Sequence, residues 1–168
     1  MSPLTSADLP SIRRATAADA RAVAEIWRTG WHDAHIGNVP DALVDVRTDG
    51  SFDTRATERV ADTSVAVVRG DVAGFVMVVG DEVEQVYVSR DHRGTGIADL
   101  LLDSAERQVA ASSHAVAWLA VATGNARARH FYERRGWSDE GAFAYPAPGP
   151  DGPIDVACHR YTKRVVNA

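Results

Sequence analysis

Between Val83 and Ser104 the chain passes from a β-branched stretch through a turn with two glycines into an amphipathic segment, and this junction limits what the rest can be. Val83 to Val88 reads as a strand. Ile97, Leu100, Leu101, Ala105 and Gln108 or Val109 recur at the spacing of one helix face, so the turn between them is a helix N-terminus. Such an end carries unpaired backbone N–H groups and a partial positive charge, and Gly94 and Gly96 have no Cβ to hold an anion away. A phosphate group suits it.

Two familiar phosphate cradles do not match. A Walker A loop needs a lysine followed by Ser or Thr after its second glycine, and the only lysine is the distant Lys163. The dinucleotide fingerprint needs a third glycine where Asp99 stands. What remains, Arg93-Gly94-Thr95-Gly96-Ile97-Ala98, fits R/Q-x-x-G-x-G/A and resembles the acyl-CoA pyrophosphate loop of the GNAT superfamily of N-acetyltransferases. Asn125 to Trp137 is similar to the next block of that family, N-x-x-A-x-x-F-Y-x-x-x-G-F. Asn125, Ala128, Phe131, Tyr132 and Gly136 match, with Trp137 in place of the Phe. The two blocks come in the family's order, one helix and one strand apart, and the resemblance is weakest over residues 30–60.

The resemblance implies an α/β (α+β) GNAT fold: a central mixed, mostly antiparallel twisted sheet of six to seven strands with a splayed parallel pair, flanked by about four helices. Length suits one domain. Residues 1–10, with Pro3 and Pro10, read as a flexible tail and 11–168 as the domain. The 45% hydrophobic and 24% charged composition is that of a globular chain, and no run approaches the ~18 apolar residues of a membrane span. A net charge of −5 argues against a dedicated nucleic-acid binder. With no signal-peptide pattern and a lone Cys158, a cytoplasmic location is expected.

In chain order, a short strand at Ile12–Ala15 precedes a helix capped by Thr16, with Ala20, Val23, Ala24 and Trp27 on one face and Gly30 as a stop signal. A second helix is expected from about Asp41 to Asp49, continuing in broken form towards Val60. On it Asp41, Asp45 and Asp49 share one face, read either as solvated or as an acidic rim that attracts cationic amines. Ser64–Val68, Val72–Val79 and Val83–Val88 read as antiparallel strands. The helix 96–111, a strand at 115–121 parallel to 83–88, and the helix 125–135 follow. A strand at 140–145 and another at 154–165 flank a proline-dense hairpin loop that should stay outside the sheet.

The chemistry implied by the resemblance is transfer of the acetyl group of acetyl-CoA to a primary amine by direct attack in a ternary complex. The acceptor is a small-molecule or peptide amine, with no nucleic acid, membrane or metal involved; many relatives are homodimers. Backbone groups of Arg93, Gly94, Thr95, Gly96, Ile97 and Ala98 would bind the pyrophosphate, with the Arg93 side chain free to assist. Val86, Tyr87 and Val88 would lie along the pantetheine arm, with unpaired main-chain groups holding the thioester oxygen. Asn125 combines helix capping with cofactor contact. Tyr132 would protonate the departing thiolate, although its spacing equally suits a core aromatic. Glu82 or Glu84 would accept the ammonium proton, against the reading of ordinary strand charges. Trp31 and His35 are acceptor-pocket candidates; His32 and His35 alone make a weak metal pattern. Of Arg127, Arg129, Arg134 and Arg135, one or two would meet the 3′-phosphate of CoA. An acyl-CoA-binding sensor without turnover, and a nucleotide-phosphate binder using only the glycine turn, are the rival readings.

Overall fold

The computed structural model describes residue 3 and residues 5–166. Seven strands form one sheet in the order β1-β2-β3-β4-β5-β7-β6: β1 Ser11–Arg14, β2 Thr63–Val68, β3 Asp71–Val79, β4 Glu82–Val88, β5 Val116–Ala122, β6 Ser138–Ala147 and β7 Ile154–Arg164. All neighbours are antiparallel except β4 and β5, joined by the crossover helix α4, Ile97–Ala111. Among the described residues the sheet is therefore mixed, with a single parallel pair, and five α-helices flank it. Helices α1 (Ala20–His35), α2 (Asp41–Val46) and α3 (Asp49–Glu58) cover one face, and α4 with α5 (Ala126–Arg134) covers the other.

The alternation of strand side chains sorts the core into two layers. Val65, Phe75 and Met77 pack with Trp27, Trp31 and Phe52 on the α1 side, while Ala66, Val76 and Val83 meet Ile97, Leu101 and Leu102 from α4. Trp27, Phe52, Phe75 and Leu101 are wholly buried, and removing each such side chain from water is worth roughly 1.5–3 kcal/mol. The Arg69-Gly70 turn between β2 and β3 has both residues at positive φ, the backbone of a tight hairpin.

Four expectations change. Helix α1 does not stop at Gly30 but runs five residues further to His35. A Cβ at Gly30 would lie 2.4 Å from Cδ1 of Tyr87, so this glycine lets β4 and α1 approach rather than ending the helix. The segment after Pro40 breaks at Arg47 and Thr48, and Asp49 opens α3 with Thr48 Oγ1 accepting from the Ser51 N–H. Asp49 is thus on a different helix from Asp41 and Asp45, and the acidic row does not exist as one face. Pro146 and Ala147 lie within β6, which tolerates a proline because it is the sheet's outermost strand.

The tail expected over 1–10 falls partly on residues 1, 2 and 4, outside the described residues. Ser6–Asp8 forms a turn closed by the Thr5 and Asp8 side chains, and Arg69 reaches Asp8 at 2.8 Å. At the base of α1, Thr16 and Asp19 form a capping box while Arg13 holds Asp19 at 2.7 Å. Among the described residues no helix is long and apolar enough to cross a membrane.

Candidate active site

The parallel pair β4 and β5 meets at one register point, Glu82 against Trp118, reinforced by the Trp118 N–H donating to the Asp81 carbonyl at 3.0 Å. Beyond that point the strands part. Beside β3, the Ser89 N–H bonds the Ala73 carbonyl and Tyr87 pairs with Phe75, so antiparallel alternation turns the main-chain groups of Val86 and Val88 towards the opening. Their side chains pack on the α4 side with Val83.

Val83 and Val86 are three residues apart yet share a face, because the β3 pairing slips between Met77 and Val78 and leaves Glu84 as an extra residue in β4. This bulge breaks the alternation. Glu82 and Tyr87, on the other side, look towards α1 and β6. One strand thus presents backbone to the opening and carboxylates to the opposite wall.

The opening continues into a cleft of about 550 Å³ lined by residues from β4, β5, β7, α1, α4 and α5 and from the 41–58 and 145–148 segments. Of the residues singled out in the sequence, Tyr132, Glu82, Glu84, Val86, Tyr87, Val88, Arg93, Gly94, Gly96, Ile97, Ala98, Asn125, Trp31 and His35 all line it. Thr95 does not; its hydroxyl turns back to the His92 carbonyl and shapes the turn.

At one end lies the glycine turn. Gly94 and Gly96 have φ of 76° and 84°, a conformation that side chains resist, and a Cβ added at either would meet nothing within 4 Å. The N–H groups from Gly94 to Asp99 find no acceptor among the described residues, and no side chain caps α4. Open donors at the start of a fifteen-residue helix fit a diphosphate in position and charge. The Arg93 side chain is not free, as its Nη2 meets Asp33 of α1 at 2.9 Å, beside Arg90. Arg127 and Arg134 line the cleft on the α5 side, whereas Arg129 is tied to Asp139 and Tyr161, and Arg135 to Asp99 and Asp103.

Midway, Asn125 Oδ1 accepts from the Ala128 N–H at 3.2 Å and starts α5, which carries Tyr132 to the cleft. The Tyr132 ring packs against Phe131, Trp137 and Tyr161, and burial pushes its hydroxyl up to about 12. At neutral pH it keeps its proton.

The far end is built by side chains. Glu82 accepts a 2.8 Å hydrogen bond from the Tyr145 hydroxyl, and burial holds its carboxyl above the ordinary carboxylate range. Glu84 is engaged through both oxygens by Arg59 at 2.8 Å. His35 stacks on Trp31 with centroids 5.0 Å apart, its Nδ1 3.0 Å from the Trp31 carbonyl; burial lowers its pKa, so the ring is neutral. Sequence reasoning missed Tyr145, Arg47, Arg55 and Asp33. The first precedes the proline-dense loop and the arginines lie in the stretch with no motif, so only the assembled fold brings them to the cleft.

The cleft thus combines a splayed parallel pair and an open glycine turn with an undissociated tyrosine and a shielded carboxylate between its walls. Residues 21–137 match the model of the Acetyltransferase (GNAT) family, and the chain belongs to that family and is an acyltransferase. Its fold is similar to a GCN5-related N-acetyltransferase from Rhodopseudomonas palustris, 21% identical with a TM-score of 0.71, covering 92% of this chain and 95% of that one. It is also similar to the PaiA N-acetyltransferase from Thermoplasma acidophilum in complex with coenzyme A (15%, TM-score 0.69, 93% and 99%). A third is YncA from Salmonella typhimurium, with its cofactor acetyl-CoA (19%, TM-score 0.67, 95% and 96%). A comparison by sequence with curated proteins finds no match.

Proposed function

We propose that this protein transfers the acetyl group of acetyl-CoA to a primary amine, with both substrates bound together and the amine attacking directly. The observation that carries the reading is that two parallel strands share one register pair, Glu82 with Trp118, and then part next to unpaired N–H donors. A strand pair closed along its length would have no room for an acyl arm.

The Gly94–Asp99 amides would hold the diphosphate and the Val86 and Val88 main-chain groups the acyl arm. Acetyl-CoA supplies the acyl group as a thioester already activated towards amines. A main-chain N–H aimed at the acyl oxygen is worth about 3 kcal/mol to the transition state in a water-excluded site. Glu82 takes the proton of the incoming ammonium, as its raised affinity for protons suits a base working near neutrality. Glu84, neutralised by Arg59, serves that role less well. As the C–S bond breaks, the Tyr132 hydroxyl delivers its proton to the sulfur, and the second proton shed by the nitrogen, now bonded to the acyl carbon, returns to the Tyr132 oxygen; burial keeps the hydroxyl protonated beforehand.

Calorimetry with acetyl-CoA, CoA and ATP, followed by a thiol-release screen over an amine library, tests this. Acetyl-CoA should bind in preference to ATP and some amine should release thiol. Preference for ATP would defeat the reading, and acetyl-CoA binding without release for any amine would replace it with a sensor.

A further inference from the structure

The wall of the cleft opposite the glycine turn holds two cations that the acetyl-transfer scheme leaves unused. Arg47, at the end of α2, is 8% exposed, and the hydrogen bond it makes is from Nη2 to the Pro148 carbonyl at 2.6 Å. Arg55, on α3, places its guanidinium carbon 4.3 Å over the Trp27 ring. Both line the cleft, and among the described residues neither forms an ion pair. The nearby carboxylates are already engaged, Glu84 by Arg59 and Glu82 by Tyr145. His35 and Tyr87, which also line this wall, are uncharged, burial lowering the pKa of the first and raising that of the second.

An arginine kept from water without a counter-charge is costly, and such groups in proteins are ordinarily paired. Burial lowers both pKa values, that of Arg55 to about 10; the Arg47 charge adds to the depression at Arg55 and the Glu84 carboxylate, already bound by Arg59, offsets only part of it. Both are still charged at neutral pH, so the wall holds two like charges facing an open space. The pair stands across the sheet from the diphosphate cradle, since α2 and α3 cover the face opposite α4. CoA phosphates at the α4 N-terminus do not account for it.

We propose that the acceptor is a small amine that also bears an anionic group, a carboxylate or phosphonate, and that Arg47 and Arg55 receive it while the amine faces Glu82. This rests on the acetyl-transfer reading. Guanidinium groups suit such anions because their planar fork donates two parallel hydrogen bonds. The anion would offset the repulsion between the two arginines and fix the amine end of the same molecule.

The test is a thiol-release panel of matched acceptors: free α-amino acids, their primary amides, and aminoalkylphosphonates, each at saturating acetyl-CoA. The free acids or the phosphonates should show kcat/KM about tenfold or more above the amides, the size of a hydrogen-bonded charge contact. Which of the two leads identifies the anion. Arg55→Met and Arg47→Lys, which keeps the charge but loses the fork, should collapse that ratio mainly through KM, with acetyl-CoA affinity by calorimetry unmoved. Equal turnover of acids and amides, preference for cationic polyamines, or variants that slow every acceptor alike would overturn the anion assignment and leave acetyl transfer standing. Absence of acetyl-CoA binding and of thiol release with every amine would instead overturn both. Should Arg47→Lys fail to fold, Arg55→Met alone decides through the same ratio.

Discussion

The two ends of the cleft are built from different parts of the chain's chemistry. The glycine end uses main-chain N–H groups from six consecutive residues, Gly94 to Asp99, and needs from the sequence only small residues and a helix to follow. The opposite end uses side chains, with Glu82 from β4, Tyr145 from β6, Arg47 just after α2, Arg55 from α3, and His35 from α1. A main-chain site is contiguous, so it can be shared by enzymes that differ in everything else. A side-chain site is assembled from far-apart positions, and its identity can change without disturbing the first.

That separation can be broken or sharpened by mutation. The largest effect is expected between the ends, where Tyr132→Phe should lower kcat by about tenfold to a thousandfold, the span of general-acid effects, with acetyl-CoA affinity unchanged. Stopped-turnover kinetics and calorimetry check this together; a lost affinity with normal kcat would move Tyr132 from the chemistry to the cofactor wall. At the glycine end, Gly96→Glu forces a side chain into a positive φ and sets a negative charge beside the diphosphate. Acetyl-CoA should then bind about a hundredfold more weakly, roughly 2.7 kcal/mol, measured as a Kd. Nothing crowds a Cβ there, but the positive φ itself costs about 1–2 kcal/mol, so melting should also fall by a few degrees, and the Kd is read on the folded variant.

At the side-chain end, Glu82→Gln should reduce kcat/KM about tenfold or more at neutral pH. The sign of its pH dependence follows from the raised pKa. The base must be unprotonated, so activity falls as pH drops through a value above the ordinary carboxylate range, and this limb should vanish in the variant. A profile identical in both proteins would remove Glu82 from the mechanism. Smallest is Gly30→Ala, where a helix-propensity gain of about 1 kcal/mol competes with overpacking of about 1–3 kcal/mol against Tyr87. We expect net destabilisation near 1 kcal/mol in denaturant unfolding, with the acceptor KM raised and the acetyl-CoA Kd unaltered.

The same contrast explains what the sequence made legible. The strand, glycine turn and helix from Val83 to Ala111 could be read because each needs its residues at a fixed local spacing, and the structure places them within a residue or so. The second block pointed to Asn125 and Tyr132; Asn125 does cap α5, and both residues line the cleft. Gly30 misled because a glycine late in an amphipathic stretch looks like a terminator, and only the Tyr87 ring packed against it shows otherwise. Arg47 and Arg55 drew no reading at all, because they lie in the stretch where the sequence carries no motif. Nothing local distinguishes an arginine facing water from one lining a cleft, since its burial is decided by Trp27, Pro148 and the neighbouring helices. Pro146 was excluded from a strand because its position on the outer edge depends on strand order, which the residues of the hairpin do not encode.

The extra residue at Glu84 ties the length of β4 to its roles. Because the strand changes its facing there, Val86 and Val88 can turn main-chain groups to one wall while Glu82 reaches Tyr145 on the other. Removing that single residue would restore a regular pleat and rotate Glu82 towards the α4 layer, away from its partner. Chain length is therefore as much a part of this site as side-chain identity, and a drifting lineage could trade residues along this strand far more freely than it could lose one.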